Sequence, residues 1–404
     1  MFKQICHTTL LYTMLLGSAF AAAQTCNDQG VVTNQHRDQA KRIYQRLTGV
    51  PPTAGELNEM AAALACNDAG FEENATAIPL DDDNFYNVTL KNFVTPWTNE
   101  EQTVFAPLND YTATVIGMVY NDDDFREVLY GDYIYTAANL TGVPAYSTTD
   151  NDHYEALEEQ GVSLKDNLVK TPQAYLPENA RAGVITSRAA AKAFFIDGTN
   201  RAMFRFTLMN HLCRDLEQVK DITRSPDRIR QDVSRSPGGD SRIFLNSCVG
   251  CHSGMDPMAQ AYAYYEYRYD SETDPDALNG EIEYTPDQVQ PKYHINSSNF
   301  PYGYVTPDEH WTNYWREGVN KHLGWDASLD GYGVGARSMG MELAHSEVFA
   351  ECQVEKVFQA VCLREPLNAA DQSEISQMLT DFAGVHNYRL KPVFSDAALY
   401  CKGE

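Results

Sequence analysis

Apolar residues recur at every third or fourth position along several stretches of the chain, which is the spacing of a buried helix face. The pattern predicts helices in 36–47, 99–135 with an interruption at 121–124, 187–219 with a break near Gly198, and 347–363. Residues 371–404 are predicted to form a last helix and a tail that ends at Cys401. The fold class is therefore predicted to be mainly α.

Turn signals divide these helices into segments. Thr53 and Glu56 form a capping-box pattern, which predicts a helix start and an N-terminal helical hairpin within 24–75. The acidic, Asn-rich stretch 79–90 is predicted to be a connector with little order, and 237–239 is a Pro-Gly-Gly boundary. The chain is longer than one hydrophobic core ordinarily accommodates, so we expect a multi-domain protein. The predicted segments are 24–75, a helical domain over 76–237, 238–345 and a C-terminal helical module over 346–404.

The N-terminus has the features of an export signal. Lys3 is followed by a short apolar stretch that ends in "AFAAAQ", which is typical of a signal peptide over 1–23 that is cleaved after Ala23 or Ala21. The stretch is shorter than the about 20 residues of a membrane span, and no later stretch supplies one. Lipid anchoring at Cys26 is disfavoured because no small residue precedes it. We expect a periplasmic protein.

The chain is strongly acidic. Its formal net charge of −25 becomes −26 without residues 1–23, because Lys3 is the one charged residue lost. Such a charge repels nucleic acid and anionic lipid, so neither is expected as a partner. It favours weak, steered contacts with proteins that present a basic surface.

Nine cysteines are present, and Cys6 lies in the signal. If Cys248 and Cys251 are used chemically, six remain, which predicts up to three disulfides in an oxidising compartment. Cys352 and Cys362 lie on one predicted helix about 15 Å apart. A disulfide requires Cα atoms about 4.4 to 6.8 Å apart, so these two should not pair. Cys26 with Cys66 is the first expectation, and the other pairings stay open.

The sequence "CVGCH" over 248–252 carries the candidate chemistry. A cysteine pair at this spacing serves a redox dithiol, half of a zinc site or covalent haem attachment. No second Cys or His pair lies at finger-like spacing nearby. The motif is preceded by a stretch with helical spacing and followed by a predicted turn, which does not match a thioredoxin-like dithiol. The prediction is therefore one haem c, bound by Cys248 and Cys251, with His252 as proximal iron ligand.

The distal iron ligand is less determined. A glycine-rich loop over 331–343 is predicted to deliver Met339 or, second, Met341, and methionine ligation raises the reduction potential. Met255 and Met258 are expected to pack beside the haem, because they follow His252 too closely to reach its opposite face. The open alternatives are a vacant site or one of four histidines: His294, His310, His322 and His345.

Three packing predictions accompany the motif. Phe244 is expected to be buried, as an ordinary core residue or as the aromatic that small c-type cytochromes place against a second helix. The stripe of helix 347–363 is suited to crossing the helix that carries Phe244. The tyrosine-rich stretch 259–270 is predicted to be an amphipathic helix that packs in the core, with electron relay as the alternative.

The chain resembles the planctomycete-type cytochrome c family, exported bacterial proteins with helical domains of unknown function around one c-type haem. The resemblance lies in 46–57, 181–213, 248–266 and 346–367. It implies a cytochrome c-like haem domain over 238–345, haem binding and electron transfer. Only Cys248, Cys251 and His252 carry over as site residues. The insertion over 270–320 departs from the family pattern, so the resemblance identifies no residue of the distal haem face.

These observations predict a monohaem c-type cytochrome that exchanges single electrons with redox partner proteins through an exposed haem edge. Two alternatives remain. An open distal site would suit an enzyme acting on peroxide or O₂, or one that takes electrons from an organic substrate. A binding protein could instead use the haem to sense redox state.

Overall fold

The computed structural model describes residues 25–138, 140–196, 198–295, 297–298 and 300–403, so the predicted signal peptide lies outside the described residues. Within them the fold is mainly helical, which confirms the predicted class at this level. No helix among the described residues combines the length and the apolar character needed to cross a bilayer.

The helices are defined here in chain order: α1 Asn34–Thr48, α2 Ala54–Leu64, α3 Glu73–Leu80, α4 Lys91–Val94, α5 Asp110–Tyr120, α6 Asp152–Glu159, α7 Leu164–Asn167, α8 Arg188–Phe194, α9 Arg201–His211, α10 Ser241–Ile243, α11 Val249–Ala259, α12 Gly335–Ala344, α13 Glu347–Cys362, α14 Ala369–Ala383 and α15 Leu390–Tyr400. Two π-helical turns, Phe85–Leu90 and Phe244–Cys248, and several short 3₁₀ turns join them. The described strands form three antiparallel pairs: β1 Tyr133–Ala137 with β2 Leu168–Pro172, β3 Tyr265–Tyr269 with β4 Gly280–Tyr284, and β5 His310–Thr312 with β6 Tyr332–Val334.

The N-terminal helical hairpin is confirmed. Helices α1 and α2 pack together, and the side chain of Thr53 accepts from the backbone N–H of Glu56 at 3.3 Å. The Glu56 carboxylate accepts in return from the N–H of Thr53 at 2.7 Å, so the predicted capping box is present. The hairpin also reaches the C-terminal end of the chain, where the Gln39 amide donates to the carbonyl of Gly403 at 2.8 Å.

The prediction of a loosely ordered connector over 79–90 is wrong. This stretch ends α3 and continues through the π turn Phe85–Leu90 into α4. Phe85 and Leu90 are fully buried, and Tyr44 donates to the carboxylate of Asp82. Apolar side chains one turn apart pack into the core here, and that burial outweighs the acidic residues between them.

Two stretches predicted to be helical contain strands. Helix α5 occupies part of 99–135, but Tyr133–Ala137 is a strand, β1, whose five residues are all buried. The tyrosine-rich stretch 259–270 ends α11 and then forms strand β3. Aromatic side chains fit both a buried helix face and a strand, and the pairing strands β2 and β4 lie far enough along the chain that local spacing does not show them.

The predicted break in 187–219 is confirmed, because α8 ends at Phe194 and α9 begins at Arg201. Gly198 and Asn200 between them have positive φ values of 66° and 59°. These left-handed conformations turn the chain so that the two helices pack against each other, with the rings of Phe194 and Phe206 stacked 4.6 Å apart.

Helix α13 packs against α14, α15 and α9 rather than across the helix that carries Phe244. Its stripe of Val354, Val357 and Val361 is fully buried in the main core. Phe244 is buried as predicted, but it packs with Ile229 and Val233 in a separate small cluster. The crossing predicted from the apolar stripe is therefore wrong, since two apolar faces in one chain need not meet each other.

Three disulfides lie within the described part of the chain, as the cysteine count allowed. Cys26 pairs with Cys66 as predicted, with Cα atoms 6.0 Å apart. The open pairings are Cys213 with Cys352 and Cys362 with Cys401, at Cα distances of 5.2 and 5.5 Å. Cys352 and Cys362 thus bind different partners, so α13 is anchored at two points, in its second turn and at its last residue. Three disulfides indicate a chain that folds in an oxidising compartment.

Candidate haem-attachment site

The CVGCH motif lies in a continuous helical segment. Helix α10, the π turn Phe244–Cys248 and α11 follow one another without a break. The turn predicted after the motif is wrong, because α11 continues to Ala259 and contains Pro257. The buried side chains of Met255 and Met258 give this extension an apolar face. The motif is therefore held on a rigid element, as a preorganised site requires.

Cys248 and Cys251 are the free cysteines of the described chain. They are three residues apart on helical backbone, so both thiols lie on one face. Cys248 is half-buried, whereas Cys251 is buried and its Sγ lies 3.4 Å from the carbonyl oxygen of Leu216. Burial, and then the charge of Glu217, raises the pKa of the Cys251 thiol. Both thiols are available for a covalent linkage on the same side of the helix.

His252 is oriented by a carboxylate one turn along the same helix. Its Nδ1 lies 3.0 Å from Oδ2 of Asp256, whose side chain is fully buried. With Nδ1 as the donor of this hydrogen bond, Nε2 is the ring nitrogen left to bind a metal. The imidazole is 18% exposed, so this nitrogen is reachable from a groove at the surface.

Asp256 belongs to a buried network of charged groups. Burial alone would raise its pKa, but the charge of Arg201, with that of Arg230 and the hydrogen bond to His252, outweighs that effect and holds the pKa of Asp256 well below its usual range. The carboxylate is therefore an anion at neutral pH. Asp232 completes the network, with an oxygen 3.6 Å from Nε of Arg230.

Every N–H group of the Arg201 guanidinium is used. Its Nε donates to Asp256 at 2.7 Å, and its Nη2 donates to Asp256 at 3.1 Å and to Asp232 at 2.9 Å. Its Nη1 donates to Asp232 at 2.7 Å and to the hydroxyl of Thr199 at 2.6 Å. A guanidinium with all its N–H groups hydrogen-bonded fixes the position of Asp256, and Asp256 in turn fixes the ring plane of His252.

Helix α11 packs so closely against Trp315 that no side chain fits at Gly254. A Cβ atom there would lie 2.0 Å from Nε1 of Trp315, whose side chain is fully buried. The helix therefore packs with its backbone directly against the indole. This close approach requires glycine two residues after His252, and it fixes the distance between the helix that carries the motif and the buried Trp315.

An open groove of about 360 Å³ lies beside His252. Its apolar wall includes Met255, Leu216 and Phe206, and its polar rim includes Arg205 and Glu100. Phe244 also lies near His252, and the centres of the two rings are 6.2 Å apart. Apolar walls with a few polar groups at the rim suit a flat organic cofactor that enters from the surface.

The structure does not bring the predicted distal ligands to this groove. Met339 and Met341 lie on helix α12 rather than on a loop, and Met339 is fully buried. The described lining contains Met255 as its methionine and His252 as its histidine. His310 pairs with Asp308, and His345 packs against Tyr130. Met255, expected only to pack beside the haem, does line the groove.

The two other chemistries of a Cys-x-x-Cys motif find little support in the described residues. The strands are all in antiparallel pairs, so no parallel strand–helix–strand unit surrounds the motif. The cluster of potential metal ligands in the described chain is Cys26, Cys66 and Asp68, and its two cysteines form a disulfide. Neither a thioredoxin-like dithiol nor a zinc site matches this arrangement.

Sequence reasoning missed the groups that support His252, namely Asp256, Arg201, Asp232 and Arg230. The sequence could have indicated the contact with Asp256, because Asp256 lies four residues after His252, the spacing of neighbours on one helix face. The predicted turn after the motif concealed it. The arginines and Asp232 come from other segments, and no local spacing connects them to the motif.

Comparison with known proteins adds no relative: no family model, no curated protein and no solved structure matches the chain.

Proposed function

We propose that this chain is a periplasmic monohaem c-type cytochrome that transfers single electrons, and that it belongs to the planctomycete-type cytochrome c family. Haem c would be linked to Cys248 and Cys251, and His252 would bind its iron. The observation that carries the proposal is the hydrogen bond from His252 to the buried carboxylate of Asp256, beside two free thiols and a groove with apolar walls. A bound haem supplies an iron that accepts and releases one electron.

The residues of this chain do the rest. Asp256 holds His252 in the tautomer that leaves Nε2 free, and its negative charge makes the imidazole a stronger electron donor to a metal. Arg201 fixes the carboxylate and offsets part of that charge. Leu216 and Phe206 exclude water from the groove wall. Electrons would pass at the exposed edge to redox proteins with a basic contact surface, since the chain carries a net charge of −25.

One observation favours a second candidate function. Among the described residues that line the groove, the methionine and the histidine are Met255 and His252, and both lie on α11. A methionine three residues after the proximal histidine is badly placed for the opposite face of the same haem. An open distal position would suit an enzyme that binds peroxide or O₂ at iron.

Mass spectrometry and absorption spectroscopy of the exported protein test the proposal. We expect one covalent haem in the natural chain, none in the Cys248→Ala/Cys251→Ala double variant, and unchanged haem in a Cys26→Ala/Cys66→Ala control. Absence of covalent haem from cells that mature other c-type cytochromes would refute the proposal. High-spin ferric bands together with cyanide binding would favour the second candidate, and low-spin bands the electron carrier.

A further inference from the structure

A pocket of about 480 Å³ lies where helix α1 meets the C-terminal helices, and its described lining includes no residue of the CVGCH motif. Arg46 of α1, Arg364 after α13 and Lys402 after α15 line it. The acidic residue of the described lining is Asp371. Lys402 is paired with Glu72, which lies outside this lining. The wall is therefore positively charged, although the whole chain has a formal net charge of −25.

Asp371 is the ion-pair partner of Arg364. The Nη1 and Nη2 groups of Arg364 donate to the two carboxylate oxygens at 2.6 and 2.8 Å. The same carboxylate accepts from the N–H of Leu367 and from the hydroxyl of Tyr400, both at 2.8 Å. These hydrogen bonds hold the pKa of Asp371 well below its usual range. Both oxygens are in use, so this carboxylate does not balance a second cation of the pocket.

Arg46 has no acidic partner among the described residues. Its Nη1 donates to the backbone carbonyl of Cys401. Burial, followed by the charges of Arg42 and Arg364, lowers the pKa of Arg46, so the charges that act on it are positive. Arg42 lies one turn earlier on α1, donates from Nε to the backbone carbonyl of Asp38 at 3.3 Å, and forms no ion pair with any residue that the structure describes. The two arginines thus leave two positive charges unbalanced on one face of α1.

Two unbalanced arginines one turn apart destabilise a helix, because like charges at this spacing repel each other. A bound anion removes this repulsion, and the half-buried position of Arg46 strengthens the attraction relative to open solvent. The planar guanidinium also presents parallel N–H donors that match the oxygens of a phosphate or a carboxylate. An anion with two charges therefore suits this pocket better than an anion with one.

We infer that the pocket binds a phosphate group, with Arg46 donating to its oxygens and Arg42 supplying the second positive charge. This role goes beyond electron transfer and does not depend on the haem. A volume of about 480 Å³ leaves room beside a phosphate ion and is typical of sites that bind small molecules. Free phosphate and a small phosphate monoester share the recognised group, so the experiment uses a probe of each kind.

Calorimetric titration of the full exported chain near pH 8 and at low ionic strength tests the inference. Inorganic phosphate and phenyl phosphate are mainly dianions at this pH, and acetate is the comparison with a single charge. We expect both phosphates to bind at millimolar concentration or below, and acetate to bind at least about tenfold more weakly. Tighter binding of phenyl phosphate would identify an ester as the ligand class, and tighter binding of inorganic phosphate the free ion. No heat of binding with either phosphate, or acetate binding as tightly as phosphate, would overturn the inference.

Two arginine variants provide the second arm. Arg46→Gln should weaken binding of inorganic phosphate by about 10- to 100-fold, the loss expected for one hydrogen bond to a charged group. Arg42→Gln removes a charge but only a hydrogen bond within α1, so it should fold normally and weaken binding by about two- to tenfold. The matched control is Lys41→Gln, which removes an exposed lysine from α1 and should leave binding unchanged. Natural affinity in either arginine variant, or an equal loss in the control, would overturn the inference.

Glu404 follows Gly403, a residue of the described lining, so its carboxylate is a competing anion. We expect the natural chain and Glu404→Gln both to bind phosphate. Binding by Glu404→Gln alone would mean that the chain supplies its own anion, and this would overturn the inference. Haem content is measured on the same samples by mass spectrometry. Covalent haem without phosphate binding would refute this inference alone, and phosphate binding without haem would refute the proposed function alone.

Discussion

At the scale of single residues, the carboxylate of Asp256 receives hydrogen bonds from an imidazole and from a guanidinium. It is fully buried, and the cost of burying a charge is offset by its cationic neighbours. A carboxylate behind a metal-binding histidine makes the imidazole more electron-donating and favours the oxidised metal. If the proposed haem is bound at His252, its reduction potential should therefore depend on this side chain.

The variant Asp256→Asn tests this dependence. The amide keeps the shape but loses the charge, so we expect a higher reduction potential in a spectroelectrochemical titration. It also leaves Arg201 with one carboxylate fewer, and breaking a buried ion pair costs about 3 to 5 kcal/mol of unfolding free energy. Asp232→Asn is the matched control, because it removes the other carboxylate of Arg201 without touching His252. Equal potentials in the two variants would contradict the role assigned to Asp256.

Glu309 carries a second prediction at this scale. Burial, moderated by the hydrogen bond that Tyr284 donates at 2.9 Å, raises its pKa from 4.5 to about 7. A carboxyl group whose pKa is raised on folding stabilises the protein fully below pH 4.5, and this contribution is lost as the pH rises to about 7. At pH 8 the ionised group should cost about 3 kcal/mol.

Glu309→Gln should remove this pH dependence, because the amide can still accept the hydrogen bond from Tyr284. We expect the unfolding free energies of the variant and the natural chain to be similar near pH 4.5 and to diverge in favour of the variant by pH 8. Urea denaturation across this range measures both. A difference that stays constant with pH would show that Glu309 does not titrate as described.

The residues of the motif could be predicted from the sequence, but their surroundings could not. Cys248, Cys251 and His252 are adjacent, so five letters identify them. The first disulfide, Cys26 with Cys66, was also predictable because it closes the end of a recognisable hairpin. Met339 was placed on a loop because four nearby glycines suggested one, whereas helix α12 accommodates Gly340 at a close contact with the backbone of Leu129.

At the scale of elements, helix α11 couples the motif to the core through Gly254. A Cβ atom at this position would lie 2.0 Å from Trp315 and could fit only if the helix or the indole moved. Overpacking of this kind costs about 1 to 3 kcal/mol. Gly254→Ala should therefore lower the midpoint of thermal unfolding and displace His252 relative to the groove, which would alter the absorption spectrum of the proposed haem.

Gly55→Ala is the control for this variant. Gly55 lies in helix α2, and a Cβ atom there meets its nearest neighbour at 3.8 Å, an ordinary contact. Alanine is a better helix former than glycine, so this variant should be as stable as the natural chain or slightly more stable. A stability loss of the same size in both variants would mean that helix propensity, and not the contact with Trp315, determines the outcome.

Elements with a strong helical period were predictable, and elements that depend on distant partners were not. The hairpin of α1 and α2 and the pair α8 and α9 follow from apolar spacing, caps and the break near Gly198. Strand β1 pairs with β2 about 35 residues later, and no local pattern shows that partner. The prediction for 79–90 was wrong for a local reason. Its acidic residues suggested a disordered connector, although apolar side chains between them pack into the core.

At the scale of the whole molecule, the disulfides join segments that the helices alone would leave separate. Cys213 follows α9, the helix that carries Arg201, and its partner Cys352 lies on α13. Cys362 at the other end of α13 is bound to Cys401 after α15. Helix α13 is thus the shared anchor of the helix that carries Arg201, beside the groove at His252, and of the C-terminal helices.

The length of the closed loop determines how much each disulfide should stabilise the protein. Cys213 and Cys352 are separated by 139 residues, whereas Cys362 and Cys401 are separated by 39. A cross-link that closes a longer loop removes more entropy from the unfolded chain, and this difference amounts to about 1 kcal/mol. Cys213→Ala/Cys352→Ala should therefore lower the unfolding free energy more than Cys362→Ala/Cys401→Ala, in urea denaturation under oxidising conditions.

The two pairs are well matched for this comparison, because each joins a buried cysteine to a half-buried one, so the packing lost on substitution is similar. Losing the first pair should also loosen α9 against α13, and the position of Arg201 would then vary. We expect a broader reduction transition in that variant and an unchanged one when Cys362 and Cys401 are replaced. If the shorter loop proves the more stabilising, native contacts around Cys401 rather than unfolded-chain entropy determine the order. An equally sharp reduction transition in both variants would contradict the coupling of Arg201 to α13.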